Sequence, residues 1–298
     1  MTEKNPTASI VIRCYNEEQY IKKLLDEVFN QSHDNFEVIV VDSGSTDATL
    51  SIINEYQVKL VTLTPEEFSF GKALNAGCQE ASGEFLCFLS GHTYPANSNW
   101  LKYLLGMFED PKVALVYGKQ RGSSITRYSE HRIFEKHYPD HSMPKQIIPF
   151  CNNANAGIRR KLWEKIPYDE TLTGLEDIAW AKRAIALGHH IAYTADAAII
   201  HIHNESRSKI FNRYEREAIA LKKLFPDEKF GFFEFLRLLF SHIFLDCKSA
   251  YKNKSLRKHL GAIILFRSMQ MYGTYSGFKF KQTISKEMKM KFYYPPRK

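Results

Sequence analysis

Long apolar runs and paired cysteines are both absent from this sequence of 298 residues. No stretch is as long as the roughly 18 apolar residues that a membrane-spanning helix needs, so we expect no such helix. The first residues lack a basic region followed by an apolar one, so we expect no signal peptide. The five cysteines are scattered without paired spacing. This pattern argues against a metal cluster or a disulfide framework and favours reduced thiols in the cytoplasm.

The composition is that of a folded globular chain with a basic C-terminal part. Hydrophobic residues make up 44% and charged residues 25%, which is enough to form a core and too apolar for a disordered chain. The formal net charge of +8 suits anionic partners. Most of this excess lies late in the chain, because Glu287 is the only acidic residue from Lys248 onwards.

Short apolar runs alternate with segments of helical spacing as far as about residue 204. Strands are predicted at 9–13, 36–41, 58–63, 84–89, 113–117 and 190–193. Helices are predicted at 20–29, 48–56, 70–81, 100–108 and 177–187. This alternation predicts an α/β fold with a mostly parallel sheet covered by helices on both faces. The loops after the parallel strands then share one edge, where such folds bind ligands.

The pattern changes at two places. Residues 122–150 show little periodicity, and we predict a long loop or a mobile flap there. Beyond about residue 205 helical spacing replaces the strand pattern. We therefore predict an α/β domain over residues 1–204 and a helical, basic and aromatic-rich extension over 205–298.

The extension contains a strongly apolar segment at 229–247, followed by lysines and arginines up to residue 258. An amphipathic segment with basic neighbours suits peripheral contact with an anionic membrane through 229–258. A helix that docks on the catalytic domain, or an oligomer contact, explains it equally well. Aromatic residues interleave with lysines near the C-terminus, as stacking platforms can. No nucleic-acid-binding signature accompanies them, so we expect no nucleic-acid partner.

Two predicted strands run directly into polar residues, in VIRCYNEE at 11–18 and VVDSGSTD at 40–47. A carboxylate at the end of a strand can accept hydrogen bonds from a nucleobase or a ribose. Glycine and serine beside it allow a close backbone approach. Capping of the next helix by Asp42, Ser45 or Asp47 is the simpler alternative.

These stretches resemble the pattern of glycosyltransferase family 2, which has the GT-A fold. The resemblance continues in order through FGKALNAG at 70–77, GEFLCFL at 83–89, the acidic pair Glu176-Asp177 and AIIHIH at 198–203. It covers roughly residues 8–205 and implies a Rossmann-like catalytic domain. The implied reaction is inverting transfer of a sugar from a UDP- or dTDP-activated donor to a hydroxyl of a glycan or lipid-linked glycan.

The resemblance also implies which residues contact the nucleotide, namely Arg13, Tyr15, Glu17, Asp42, Lys72, Asn75 and Ser90. Arg13 stands where many family members have proline, so a direct phosphate contact is attractive there. For Lys72 the alternative is a solvated helix residue.

The Ser90-Gly91-His92 segment stands where the family has an Asp-x-Asp motif. Those carboxylates hold a divalent ion, which neutralises the diphosphate leaving group. Imidazole also binds Mn²⁺ and similar metals. We therefore predict an Mn²⁺ or Mg²⁺ site at His92, with His201 and His203 on the closing strand that the resemblance implies at 198–203. The alternatives are a phosphate contact by His92, a core role for one of the other two histidines, and transfer without a metal. In metal-free transfer, protonated His92 with Lys72 or Arg13 stabilises the leaving group.

An inverting displacement needs one base to take the proton of the attacking hydroxyl. The resemblance assigns this role to Asp177, with Glu176 orienting it or holding acceptor hydroxyls. Both carboxylates would also favour the N-terminus of the predicted helix through its dipole. A non-catalytic nucleotide-sugar-binding scaffold is a further alternative, although a scaffold has no use for a base.

The segment between 151 and 160 is rich in asparagine, whose amide both donates and accepts hydrogen bonds. We predict acceptor contacts at Asn152, Asn153 and Asn155, although turn formation accounts for at least one of them. Trp180 and Trp163 either stack on an acceptor sugar or pack in the core. The resemblance places the protein in bacterial polysaccharide synthesis, such as capsule or O-antigen. It implies a cytoplasmic location at the inner face of the plasma membrane.

Overall fold

The computed structural model describes residues 6–294 of the chain. Its strands are β1 Ala8–Cys14, β2 Phe36–Asp42, β3 Lys59–Thr62, β4 Phe85–Ser90, β5 Thr93–Pro95, β6 Val113–Gly122, β7 Met143–Gln146, β8 Asn155–Arg159 and β9 His190–His201. Its α-helices are α1 Ile21–Phe29, α2 Thr49–Ile53, α3 Phe70–Gln79, α4 Trp100–Gly106, α5 Tyr128–His137, α6 Arg160–Lys165, α7 Glu176–Ala186, α8 Arg207–Leu224, α9 Phe232–Lys252, α10 Leu256–Lys279 and α11 Lys286–Tyr293.

The chain forms two compact units. The first comprises the residues up to Arg121 together with His137–Leu172 and Glu176–Ile202. The second comprises Gly122–Lys136, Thr173–Leu175 and the residues from His203 onwards. From residue 203 onwards the chain belongs to the second unit. Two earlier segments, Gly122–Lys136 and Thr173–Leu175, also belong to it.

The first unit is built on a mixed sheet with the strand order β3-β2-β1-β4-β8-β6-β9-β5, and β7 pairs with β9. The predicted parallel arrangement holds for β3, β2, β1 and β4. By contrast, β8 is antiparallel to β4 and β6, and β9 is antiparallel to β5 and β7. The α/β class is confirmed, and the sheet is parallel in one half.

The register of the parallel strands brings three predicted site residues to one edge. Arg13 lies opposite Ser90, and Cys14 lies opposite Asp42. Arg13, Asp42 and Ser90 thus end adjacent strands on the same side, as expected for the ligand-binding edge of an α/β sheet.

Burial in the core accounts for the apolar patterns from which β1 and α1 were predicted. Ile10, Val11 and Ile12 of β1 are all fully buried, as expected for a strand covered on both faces. The helix α1 buries Ile21, Leu24, Leu25 and Val28, which repeat at intervals of three and four residues along one face.

Two predictions, for residues 122–150 and 190–203, were wrong. The segment 122–150 is not one long loop, because it contains α5 and β7. The helix α5 buries Ser129 and Glu130 beside Phe134, so polar residues occupy its inward face and hide its periodicity. The predicted strand at 190–193 and the closing strand are one strand, β9, which ends at His201. His203 therefore lies beyond the strand on which it was predicted.

The second unit is helical, as predicted, with α8, α9, α10 and α11 as its main elements. A buried ion pair joins α9 to α10, in which Nε of Arg267 lies 2.8 Å from Oδ2 of Asp246. Removing either partner would leave an uncompensated buried charge. Among the helices that the structure describes, none has the length and apolarity needed to cross a membrane.

Candidate active site

Asp42, the last residue of β2, stabilises the loop that follows this strand. This carboxylate is buried, and its Oδ2 accepts hydrogen bonds from the N–H groups of Gly44 at 3.0 Å and Ser45 at 2.9 Å. Asp47 matches the alternative of helix capping. Its Oδ1 accepts a hydrogen bond from the N–H of Thr49, the first residue of α2. Asp42 thus shapes the loop at the binding edge, and its contact with a base or ribose stays a prediction.

The guanidinium of Arg13 lies between an acid and an aromatic ring. Its Nη1 is 3.4 Å from Oε1 of Glu176, and its Cζ is 5.2 Å from the ring centroid of Phe70. Tyr15 and Ser90 are half-buried at the same edge. This arrangement fixes a positive charge at the end of β1, where the sequence predicts a phosphate.

The loop containing Ser90, Gly91 and His92 packs on the segment after β1. The N–H of Gly91 donates to the carbonyl of Arg13 at 2.8 Å, and a Cβ on Gly91 would lie 2.7 Å from Cγ of Glu17. A larger residue there would displace Glu17. The carboxylate of Glu17 in turn lies 2.7 Å from Nδ1 of His92. Glu17, predicted as a nucleotide contact, is therefore a direct partner of His92.

His92 and His201 lie beside each other, with ring centroids 5.1 Å apart and an interplanar angle of 31°. Each ring has a partner at Nδ1: Glu17 for His92, and Oε1 of Gln120 at 2.7 Å for His201. An outer carboxylate or amide at one ring nitrogen is the arrangement that orients a histidine ligand and directs its other nitrogen to a metal. Both histidines therefore fit the donor set of a divalent cation.

The acidic pair occupies the first turn of α7, and both carboxylates are buried. Asp177 accepts hydrogen bonds from the N–H of Ile178 at 2.8 Å and from the N–H of Asn153 at 3.2 Å. Burial and the neighbouring charge of Glu176 raise the pKa of Asp177 to about 7, although the two N–H donors and Arg13 oppose the rise. A carboxylate with this pKa can accept a proton near neutral pH.

The amide of Asn75 is fully used within the protein. Its Oδ1 accepts from Nε1 of Trp163 and from the N–H of Tyr168, both at 3.0 Å. Its Nδ2 donates to the carbonyl of Tyr168 at 3.0 Å and to Glu170 at 2.9 Å. These bonds exhaust its capacity, so Asn75 anchors residues 163–170, and its nucleotide contact stays a prediction. Lys72 forms only an exposed pair with Glu170 at 3.7 Å.

The predicted acceptor residue Asn155 is also structural. It is fully buried in β8, where its amide nitrogen donates to two backbone carbonyls and its Oδ1 accepts from Nε1 of Trp100 at 2.8 Å. Its polar atoms therefore serve the sheet, and its acceptor contact stays a prediction. Asn152 is half-buried and accepts from the N–H of Ala154 at 2.9 Å, which is the turn-forming alternative.

Trp180 packs in the core. Only 1% of it is exposed, and its ring lies 6.0 Å from the ring of Tyr168. Trp163 is buried as well. Both rings therefore pack in the core, which is the alternative to stacking on an acceptor sugar.

The chain resembles known proteins in its sequence. The family described as Glycosyl transferase family 2 matches residues 9–166, more than half of the chain. The chain belongs to glycosyl transferase family 2. The O-antigen chain rhamnosyltransferase WbaN of Salmonella anatum is 29% identical to it over 197 residues, which cover 62% of each chain. The match thus spans less than two thirds of that relative's length.

Solved structures share the fold of this family 2 chain. The mannosyltransferase PcManGT from Pyrobaculum calidifontis, in complex with GDP-Man and Mn²⁺, has a TM-score of 0.64 at 17% identity, and the match covers 94% of this chain and 89% of that one. Residues 1–349 of S. aureus TarS, in complex with UDP-GlcNAc, have a TM-score of 0.54 at 19% identity with 94% of each chain covered. The GT-A fold predicted from the resemblance is confirmed.

Sequence reasoning missed two contributors to this family 2 site, Gln120 and Phe70. The strand β6 was predicted to end at residue 117, but it continues to Gly122. Gln120 lies in this continuation, after the apolar run. The detectable signal was an apolar strand that runs into polar residues, as after β1. Among the described residues, Nε2 of Gln120, Nε of Arg13 and Nδ2 of Asn153 are buried nitrogens without a hydrogen-bond partner. Their capacity to donate is available to a ligand or to ordered water.

His203 lies in the second unit of the chain. Its Nδ1 contacts Glu130, which also forms an ion pair with Arg213 at 2.6 Å. Burial alone would raise the pKa of Glu130, but His203 and Arg213 lower it to about 2. Arg213 pairs with Glu205 at 2.7 Å as well. The charge of Arg213 thus balances the carboxylates of Glu130 and Glu205. Metal binding by His203 stays a prediction.

Proposed function

We propose that this protein is an inverting glycosyltransferase that moves a sugar from a UDP- or dTDP-activated donor to a hydroxyl of a glycan or lipid-linked glycan. The observation that carries the proposal is the buried carboxylate of Asp177, whose pKa is raised to about 7. It belongs to the same compact unit as the strand ends that present Arg13, Asp42 and Ser90. A scaffold that only bound the donor would need no such base.

The reaction is a single displacement. The acceptor oxygen forms a bond to the anomeric carbon as its proton passes to Asp177. The bond between that carbon and the diphosphate oxygen breaks, and the diphosphate leaves with the electron pair. Two N–H donors hold the Asp177 carboxylate in place, and Arg13 holds the neighbouring Glu176. Fixed geometry of this kind lowers the entropic part of the barrier.

Charge on the leaving diphosphate has to be neutralised as the bond breaks. Arg13 supplies a fixed positive charge at the end of β1, and Lys72 is exposed on α3 with only a weak partner. A divalent ion, Mn²⁺ or Mg²⁺, would be held by His92 and His201 and would supply further positive charge there. The Mn²⁺ in the PcManGT complex supports this assignment. Transfer without a metal, using Arg13 and Lys72, is the alternative.

The names of related proteins support a role in surface polysaccharide assembly. WbaN is named as an O-antigen chain rhamnosyltransferase. The complex of TarS with UDP-GlcNAc supports the UDP-activated donor. We therefore propose that the acceptor is a bacterial surface glycan, built on the cytoplasmic side of the membrane.

The donor and the metal are tested by thermal unfolding with UDP, dTDP or GDP in Mn²⁺ or EDTA. A nucleotide at 100 times its dissociation constant adds about 2.7 kcal/mol of stability, which raises the Tm by about 5–10 °C for a chain of this size. We expect a rise with UDP or dTDP that shrinks in EDTA. His92→Ala should lose the metal-dependent part, and His141→Ala, an exposed histidine, should keep it.

Each other result has a definite meaning. A rise that survives EDTA and His92→Ala would support the metal-free mechanism. A rise with GDP alone would replace the proposed donor class. No rise with any of the three nucleotides would overturn the transferase proposal.

Arg13 is expected to influence the pH dependence of transfer. It lies beside Glu176 and lowers the pKa of Asp177, so Arg13→Gln should move the acidic limb of the kcat/KM profile to higher pH. Arg13→Lys retains a positive charge and should move the limb less. Initial rates measured from pH 5.5 to 9 at saturating acceptor would show the shift. An unmoved limb in Arg13→Gln would show that Arg13 acts only on the donor.

A further inference from the structure

The second unit exposes a stripe of aromatic and basic side chains on α9. We define the α9 stripe as Phe233, Arg237, Phe240, Phe244, Lys248 and Tyr251. These positions are spaced by three or four residues, so they share one face of the helix. Phe233 is 86% exposed, Phe240 and Phe244 are each 65% exposed, and Tyr251 is 73% exposed. Four large rings facing solvent on one helix face indicate an interaction surface.

The opposite face of α9 holds the helix to the rest of the second unit. Asp246 and Ala250 are buried, and Asp246 pairs with Arg267 of α10. The exposed rings are therefore not needed to hold α9 in place. Their exposure has to be explained by a partner that covers them.

The charge around the stripe identifies the chemistry of that partner. Exposed basic residues surround its C-terminal half, namely Lys248, Lys252, Lys254, Arg257 and Lys258. The acids on α9 are both already paired, since Asp246 is buried with Arg267 and Glu234 bonds Arg237 on the same turn. A second copy of the chain that met this face symmetrically would oppose like charges. An anionic surface would be attracted to it.

We propose that the α9 stripe is a membrane-docking surface that inserts its rings among the headgroups of an anionic lipid bilayer. The rings are spaced along about 27 Å of helix, from residue 233 to residue 251 at 1.5 Å per residue. A helix in this orientation lies in the plane of the interface. The long side chains of Lys248 and Arg237 can extend along the rings and keep their charges at the phosphate level. At the beginning of α10, Leu260 and Ile264 are also exposed, by 42% and 45%.

The proposal is independent of catalysis, so binding alone tests it. The full chain is sedimented with vesicles of phosphatidylcholine, with or without phosphatidylglycerol, at low and high salt. We expect binding to the anionic vesicles only, weakened by salt. The double variant Phe240→Ser, Phe244→Ser should bind at least about tenfold more weakly. The double variant Lys248→Gln, Lys252→Gln should lose roughly fivefold per lysine.

Matched controls come from the first unit. Leu187 is 58% exposed and Tyr103 is 41% exposed, so Leu187→Ser with Tyr103→Ser removes two exposed large side chains elsewhere. Lys102→Gln with Lys161→Gln removes two exposed charges elsewhere. Both controls should bind as the parent does. Since all the substituted residues are exposed, each variant should keep the Tm of the parent within a few degrees.

Three results would overturn the proposal. The parent chain could fail to sediment with anionic vesicles. The Phe240 and Phe244 variant could bind as tightly as the parent, which would place the contact elsewhere. Light scattering could show a dimer that the same variant converts to monomer while vesicle binding is absent, which would make a second copy the occupant of the stripe.

Discussion

Replacing Asp177 with asparagine is expected to lower kcat by a factor of about 10²–10⁴, the range typical for removal of a general base. Asparagine has nearly the same shape but cannot take up the proton of the acceptor hydroxyl. Its amide nitrogen also cannot accept, so one of the two hydrogen bonds from the N–H groups of Ile178 and Asn153 is lost. Binding of the donor nucleotide should be unchanged, because Asp177 is not among the proposed nucleotide contacts. Transfer rates at saturating donor and nucleotide affinity by calorimetry separate the two effects. Asp196→Asn, an exposed site on β9, is the matched control and should keep the activity of the parent.

The pH dependence of the parent follows from the same carboxylate. Burial and Glu176 raise its pKa to about 7, so the parent should lose kcat/KM as the pH falls below that value and Asp177 becomes protonated. The effect on stability has the opposite sign. A folded pKa above the ordinary value of 3.8 stabilises the fold at acidic pH, and this contribution is lost as the pH rises through the folded pKa. The stability of Asp177→Asn should therefore not fall in this way as the pH rises.

Two results would contradict this assignment. If Asp177→Asn kept the activity of the parent while Glu176→Gln abolished it, the base would be Glu176. If neither substitution changed a measurable rate, the carboxylates would only stabilise the first turn of α7 through the helix dipole.

Gly118→Ala is expected to destabilise the fold by about 3 kcal/mol or more, at the upper end of the usual cost of overpacking. A Cβ at this position of β6 would lie 2.1 Å from the carbonyl oxygen of Ala197 and 2.4 Å from Nδ2 of Asn155. Neither neighbour can retreat easily, because one is strand backbone and the other donates two hydrogen bonds inside the sheet. Thermal and urea unfolding would show a Tm lower by about 6–12 °C.

Gly106→Ala is the matched control for this prediction. Nothing lies within 4 Å of a Cβ built there, at the last residue of α4. Alanine is preferred over glycine in a helix by about 0.5–1 kcal/mol, so this variant should be as stable as the parent or slightly more stable. Equal stability of the two alanine variants would mean that β6 does not approach β9 and Asn155 as closely as described.

The sequence could predict the features that depend on local patterns. The fully buried run in β1 and the regular face of α1 are properties of neighbouring residues, and they were read correctly as strand and helix. The helix α5 was missed because Ser129 and Glu130 occupy its inward face. Their burial depends on partners in distant parts of the chain, such as Arg213 for Glu130 and Arg267 for the carbonyl of Ser129.

The candidate site divides in the same way. The polar residues that follow β1, β2 and β4 were recognisable in the sequence, and the parallel register then places Arg13, Asp42 and Ser90 at one edge. Asn75, Asn155 and Trp180 looked like ligand contacts because their chemistry suits a sugar nucleotide. Only the tertiary structure shows that both amides are bonded within the protein and that the ring is buried.

The sequence by itself determined the family, the α/β order of the first unit, the helical character of the second and the acidic pair at the start of α7. The tertiary structure alone decided which polar atoms have partners, because hydrogen bonds join residues far apart in the chain. It set the pKa of Asp177 through burial beside Glu176. It also left the rings of α9 uncovered, since exposure depends on how helices pack and not on which residues they contain.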